Sequence, residues 1–155
     1  MDVVILLRWL HVIGATVLLG TGAGIAFFLL MAHRTRSPAL IAHTASVVVI
    51  ADWLFTATAV IAQPITGALL AGELGWTFGE FWLQASLALY VLAGVFWLPV
   101  VWMQTRMRDL ARAAAAAGGE LPPAYFKLYR LWFVSGFPAF AAVLAIIWLM
   151  LAKPA

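Results

Sequence analysis

Four long apolar runs follow one another along the chain, and the polar residues fall mostly between them. The first covers roughly residues 3–32 and closes at His33-Arg34-Thr35-Arg36, followed by Ser37-Pro38. The second covers roughly 40–71, with Gln63-Pro64 inside it, and is followed by a polar-aromatic turn from Gly72 to Gly79. The third starts near Glu80, stays apolar to Met103 and continues as a more polar helix to Ala117, where Gly118-Gly119 stops it. Leu121-Pro122-Pro123 restarts the chain, and the fourth run covers roughly 124–151. Each run is long enough for a helix that must cross hydrocarbon in about 20 residues. The pattern predicts an all-α protein, an integral membrane antiparallel four-helix bundle forming a single membrane domain over residues 1–155. Pro64 is expected to kink the second helix, because it removes a backbone donor and crowds the preceding turn.

Composition agrees with this and excludes much else. Of 155 residues, 66% are hydrophobic and only 10% charged. No soluble domain of that length hides so much apolar surface. With no cysteine, disulfides, thiolate nucleophiles, Cys-ligated clusters and c-type haem attachment are all ruled out. The net charge of +3 is spread over loops without a Lys/Arg run, so nucleic acid is not an expected partner. The N-terminal run is expected to be a retained span, since no small-residue cleavage site follows a short apolar core.

Charge also predicts orientation. Arg34, Arg36, Arg106, Arg108, Arg112, Lys127 and Arg130 lie by the first and third connections, whereas Arg8 and Lys153 lie at the opposite ends. Basic residues favour the cytoplasmic side, so both termini are expected outside. Trp9, Trp76, Trp82 and Trp148 then fall at outer ends and Trp102 and Trp132 at inner ends, as interfacial belts do. Trp53 and Trp97 fall deep in the second and third spans.

Candidate chemistry concentrates where ionisable groups sit inside spans, which is costly and so suggests function. Arg8, His11, Gly14 and Ala15 share one face of the first helix. Neutral imidazole is a good haem ligand, and an arginine one turn outward is placed to pair with a propionate. Gly14 would leave that face open to something flat. The other reading of His11 is a histidine hydrogen-bonded across the bundle, with Arg8 reaching the headgroups. Gly20 and Gly24 form a GxxxG spacing better suited to helix packing than to a cofactor. His33 lies 22 residues beyond His11, about 33 Å along one helix, so the two cannot share a metal. It could instead join His43, or both could be interfacial.

Asp52, interior to the second span, must be protonated, paired or beside a cavity. Arg8 is the first partner to consider, and with Trp53 the carboxyl is a candidate for a proton or quinone path. Gln63 and Gln84 approach the depth of His11 and could line the same pocket. No nucleophile with its base, phosphate loop or carboxylate pair is evident.

Arg8-Trp9-Leu10-His11, His33, Trp82-Leu83, Tyr129-Arg130-Leu131-Trp132 and Ala152-Lys153-Pro154 occur in an order that resembles the four-helix bacterial protoporphyrinogen IX oxidases. Nearly the whole length is similar to a bacterial family of predicted integral membrane proteins of unknown function. The first resemblance implies haem b on the outer half of the bundle, with His11 as iron ligand. With the residue reading above, Arg8, Gly14 and Gln84 would lie around the cofactor, and Ser86 with them. The oxidases' third-helix lysine corresponds to Ser86 here, which argues against porphyrinogen oxidation itself. The resulting expectation is a small haem b-binding redox protein of the bacterial inner membrane, a cytochrome b-like oxidoreductase. It would pass electrons between haem and a quinone or a membrane redox partner, with Asp52 and Trp53 near a proton or quinone path, and could form a homo-oligomer. A protoporphyrinogen-oxidising enzyme and a non-catalytic structural or assembly subunit are the alternatives.

Overall fold

The structure, a computed structural model, describes residues 2–154. Four helices make up almost all of it: α1 Val3–Arg34, α2 Pro38–Glu73, α3 Phe81–Ala116 and α4 Pro123–Ala152. No strand occurs among the described residues, and the all-α membrane architecture predicted from the apolar runs is the one the chain forms. Short connections make successive helices antiparallel.

Local chemistry sets the helix ends. The Asp2 carboxylate accepts from the Val4 amide at 3.0 Å, and the Ser37 hydroxyl accepts from Leu40 at 3.4 Å. Pro38 and Pro123 open α2 and α4, where a missing N–H costs nothing. Gly75 (φ 68°) and Gly118 (φ 62°) follow α2 and α3 in the left-handed conformation that glycine adopts without strain. Beyond α4, the Lys153 ammonium lies 3.9 Å from the centre of the Trp76 ring and 5.6 Å from that of Trp82. That contact ties the end of α4 to the α2–α3 turn by cation–π attraction.

Pro64 lies inside α2 without ending it. Helix continues through Pro64 from Ala57 to Glu73. Proline leaves the Val60 carbonyl without its usual amide partner, and the Tyr90 hydroxyl of α3 donates to that carbonyl instead. The departure from α-helical bonding comes earlier, as a single π turn over Asp52–Thr56. Such turns are uncommon and recur at functional sites.

Packing divides the bundle along its length. At the end carrying the basic loops, Leu29, Ile41, Ala45, Met107, Ala111 and Tyr125 form the centre of a close-packed cluster drawn from all four helices. A smaller cluster of Ala71, Trp82 and Leu83, backed by Trp76, Leu149 and Met150, closes the other end. Toward that second end the outer half of α2 packs on α1, while α3 packs along α4. A cavity of about 370 Å³ remains between the two pairs. Small residues open it: Gly22, Ala23 and Ala26 on α1, Ala93 and Gly94 on α3, Gly136 and Ala139 on α4.

The tryptophans depart in part from the expected belts. Trp9, Trp102 and Trp148 face outward as interfacial residues would. Trp82 and Trp132 are each only 4% exposed and belong to the interior. Both have inward partners: Trp82 meets Trp76 edge to face at 5.1 Å, and Trp132 is drawn in by a polar group on α3.

Candidate functional site

The polar centre of the bundle is Asp52, 3% exposed and about 21 Å along a 36-residue helix of some 54 Å, hence near mid-membrane. Its expected pairing with Arg8 does not occur. Arg8 is exposed one turn from the start of α1, and no basic residue pairs with Asp52 among the described residues. The carboxyl is instead held by neutral donors. Trp97 Nε1 lies 3.4 Å from Oδ1. In the amide orientation that satisfies both its neighbours, Gln104 donates to Oδ2 at 2.5 Å and accepts from Trp132 Nε1 at 3.2 Å. Trp97 and Gln104 lie seven residues apart on α3, two turns on one face, so a single helix grips the carboxyl from both sides.

One turn along α2 from Asp52, Thr56 is 6% exposed, and its hydroxyl makes no close hydrogen bond, the Asp52 carboxyl being the polar group it approaches. An unmet hydroxyl in hydrocarbon is uncommon and costs free energy. Asp52 and Thr56 both line the cavity, together with Gln63, Tyr90, Trp97, Gln104 and Trp132. Phe133, Phe137 and Phe140 of α4 provide an aromatic wall. The site is thus a mostly apolar chamber with a few polar groups converging at one level, the usual form of a small-molecule pocket.

Trp53, expected beside Asp52 in function, faces away and is 65% exposed. Adjacent residues on a helix point about 100° apart, so burial of Asp52 turns Trp53 toward lipid. Trp97 takes the place expected of it.

His11 lies elsewhere, in the α1–α2 seam. Its Nδ1 is 2.9 Å from the Thr66 hydroxyl, and a Cβ on Gly67 would stand 3.1 Å from its Cε1. The Gln63 amide donates to the His11 carbonyl at 2.7 Å and fills the space that Gly14 leaves. A haem at His11 needs an imidazole nitrogen facing a slot wide enough for a macrocycle. Here the ring lies against the backbone of α2, Gln63 occupies the face of Gly14, and no histidine lines the cavity. These residues do not fit a haem.

The remaining expected contacts are dispersed. Gln84 is exposed and donates to the Phe78 carbonyl at 3.0 Å. Ser86 is buried and turns back on its own helix, donating to the Trp82 carbonyl at 2.7 Å. His43 is exposed, whereas His33 stacks on Tyr129 with ring centres 3.5 Å apart and bonds Tyr125 at 3.1 Å. No group of three or more His, Asp or Glu side chains suited to a metal occurs among the described residues. Around Gly20 no other side chain lies within 4 Å, so the GxxxG face packs nothing within the chain.

Residue types alone missed Thr56, Gln104 and Trp132. Thr56 carried one usable signal, its place four residues after Asp52 on the same face. Gln104 reads locally as the start of the polar end of α3.

Four apolar spans around a mid-membrane carboxyl and its cavity define an integral membrane protein embedded in the lipid bilayer. The chain belongs to the family of predicted integral membrane proteins designated DUF2269, whose model matches residues 5–154. No curated protein and no solved structure matches it.

Proposed function

We propose that the protein binds a quinone of the bilayer in its central cavity, with the ring at Asp52 and Thr56 and the tail among the apolar side chains. The observation that carries this reading is the Thr56 hydroxyl, without a close hydrogen bond, beside the Asp52 carboxyl, both lining an apolar chamber. A quinone ring has carbonyl oxygens that accept hydrogen bonds, and its reduced form has hydroxyls that donate them. Thr56 supplies a donor for the first and Asp52 an acceptor for the second. The volume of about 370 Å³ lies within the range of roughly 300–1,000 Å³ common for ligand sites. Trp97 and the Gln104–Trp132 pair hold the carboxyl in place, so its orientation does not depend on the ligand. The redox role expected from the sequence would then rest on the quinone and not on a haem at His11. The reading takes the protein to lie in a bacterial inner membrane, where the basic asymmetry supports termini that face outward.

Ligand-induced stabilisation in detergent tests the proposal, because a ligand that binds only the folded state raises its stability. A short-chain ubiquinone should raise the unfolding temperature of the wild-type protein, and an alkane of similar hydrophobicity should not. Thr56→Val should remove most of that shift while leaving the unliganded protein folded. An equal shift in wild type and Thr56→Val, or none in either, overturns the reading. The second outcome would favour a purely structural subunit.

A further inference from the structure

Independently of the cavity, we propose that a groove at the start of α4 binds the headgroup of an anionic phospholipid. Its walls are Leu121, Pro123, Phe126, Lys127, Arg130 and Leu131. Lys127 and Arg130 are three residues apart, so they stand side by side on the helix. A third cation converges on the same place from another element. Arg36, held at φ 57° in the α1–α2 connection, sets its guanidinium 5.2 Å from the centre of the Phe126 ring. The backbone there adopts a left-handed conformation that arginine rarely takes, and the guanidinium stands beside the groove, over Phe126.

None of the three forms an ion pair among the described residues, where the bonded pair is Arg108–Asp109. Glu120, exposed and one residue before Leu121, is the acidic group in the adjoining loop. The arrangement therefore carries an excess of positive charge around an aromatic floor.

The apolar side selects the class of anion. Leu131 is 51% exposed and Val134, one turn further along α4, is 66% exposed. They continue the groove from the charged end of the helix onto its lipid-facing side. A free phosphate would use the cations only. A phospholipid uses both, with phosphate between Lys127 and Arg130 and an acyl chain along Leu131 and Val134. Basic pockets at membrane-facing helix ends bind acidic lipids in this way.

Native mass spectrometry of the full chain in neutral detergent tests the assignment with three probes: phosphatidylglycerol, phosphatidylcholine and inorganic phosphate. Wild type should retain phosphatidylglycerol in preference to phosphatidylcholine, and inorganic phosphate should not displace it. The pair Lys127→Gln/Arg130→Gln should weaken that retention roughly tenfold or more, since each basic residue near the surface adds to the attraction. The pair Arg106→Gln/Arg112→Gln removes the same charge from α3 and should leave retention unchanged. If both pairs weaken it equally, overall charge and not the groove is responsible, and the proposal fails. It fails likewise if phosphatidylcholine is retained as well, or if inorganic phosphate displaces the lipid. Helical circular dichroism of each variant confirms that a loss of lipid is not a loss of fold.

Discussion

Gln63 of α2 donates its side-chain amide to the backbone carbonyl of His11 on α1, and the 2.7 Å contact exists because residue 14 has no side chain. A methyl group at Gly14 would collide with the Gln63 amide. Gly14→Ala is therefore expected to destabilise the bundle by about 1–3 kcal/mol, the usual cost of overpacking. Gly20→Ala, where nothing lies within 4 Å, should be close to neutral. Thermal unfolding in detergent compares the two. Adding Gln63→Ala to Gly14→Ala should relieve the collision, so the pair should be non-additive.

His11 is predicted to be a packing residue. His11→Ala should lower stability by roughly 1–2 kcal/mol through loss of the Thr66 bond and the contact on Gly67. Purified wild-type protein should show no Soret band in oxidised or reduced spectra. A Soret band that disappears in His11→Ala would reinstate the haem reading of α1.

Asp52 separates shape from chemistry. Asp52→Asn retains an acceptor for Trp97 and should fold normally, yet weaken stabilisation by the reduced quinone, whose hydroxyls donate to the carboxylate. Asp52→Leu strands the Trp97 and Gln104 donors, at a cost of about 1–3 kcal/mol for each unmet group. The same unfolding assay, with and without ubiquinol, reads both effects. A neutral Asp52→Leu would mean that the carboxyl carries no net bonding.

The tie between Tyr90 and the carbonyl freed by Pro64 can be measured as a cycle. Tyr90→Phe leaves the Val60 carbonyl unmet and should cost about 1–2 kcal/mol. In a Pro64→Ala background, the backbone amide regained at that position would satisfy Val60, and the same change should cost little. Equal costs in the two backgrounds would show that the hydroxyl does not compensate for the proline.

Orientation is a separate prediction, drawn from seven basic residues at the ends joined by the first and third connections against two at the other ends. Reporters fused after Ala117 should be active in the cytoplasm, and reporters at the C-terminus outside it. Swapped signals would invert the bundle.

Apolar run length made the four spans legible, because hydrocarbon thickness acts on each helix alone. Asp52 was legible as an anomaly for a similar reason, since a carboxyl in a span stands out whatever surrounds it. Its partners were not legible. Whether Trp53 or Trp97 meets it depends on how α2 is turned against α3, a tertiary relation that no local pattern encodes. Pro64 was legible as the loss of a backbone donor, but its remedy, Tyr90, comes from another helix. His11 shows the opposite hazard: its residue type suits a metal, but Gly14, Gly67 and Thr66 around it are suited to packing.

The π turn has a geometric consequence for everything outward of it. Accommodating one extra residue offsets the remainder of α2 by about 100° around its axis relative to an unbroken helix. The turn acts as a phase adjuster: inward of it α2 presents Ile41, Ala45 and Val48 to the packed core, and outward of it Gln63 and Thr66 meet α1. Deleting a single residue within Asp52–Thr56 would remove the surplus, restore regular bonding and leave Gln63 and Thr66 on the His11 seam, whereas an unbroken helix of the present length would turn them away. The turn that displays the carboxyl thus also indexes the two halves of α2 to different neighbours.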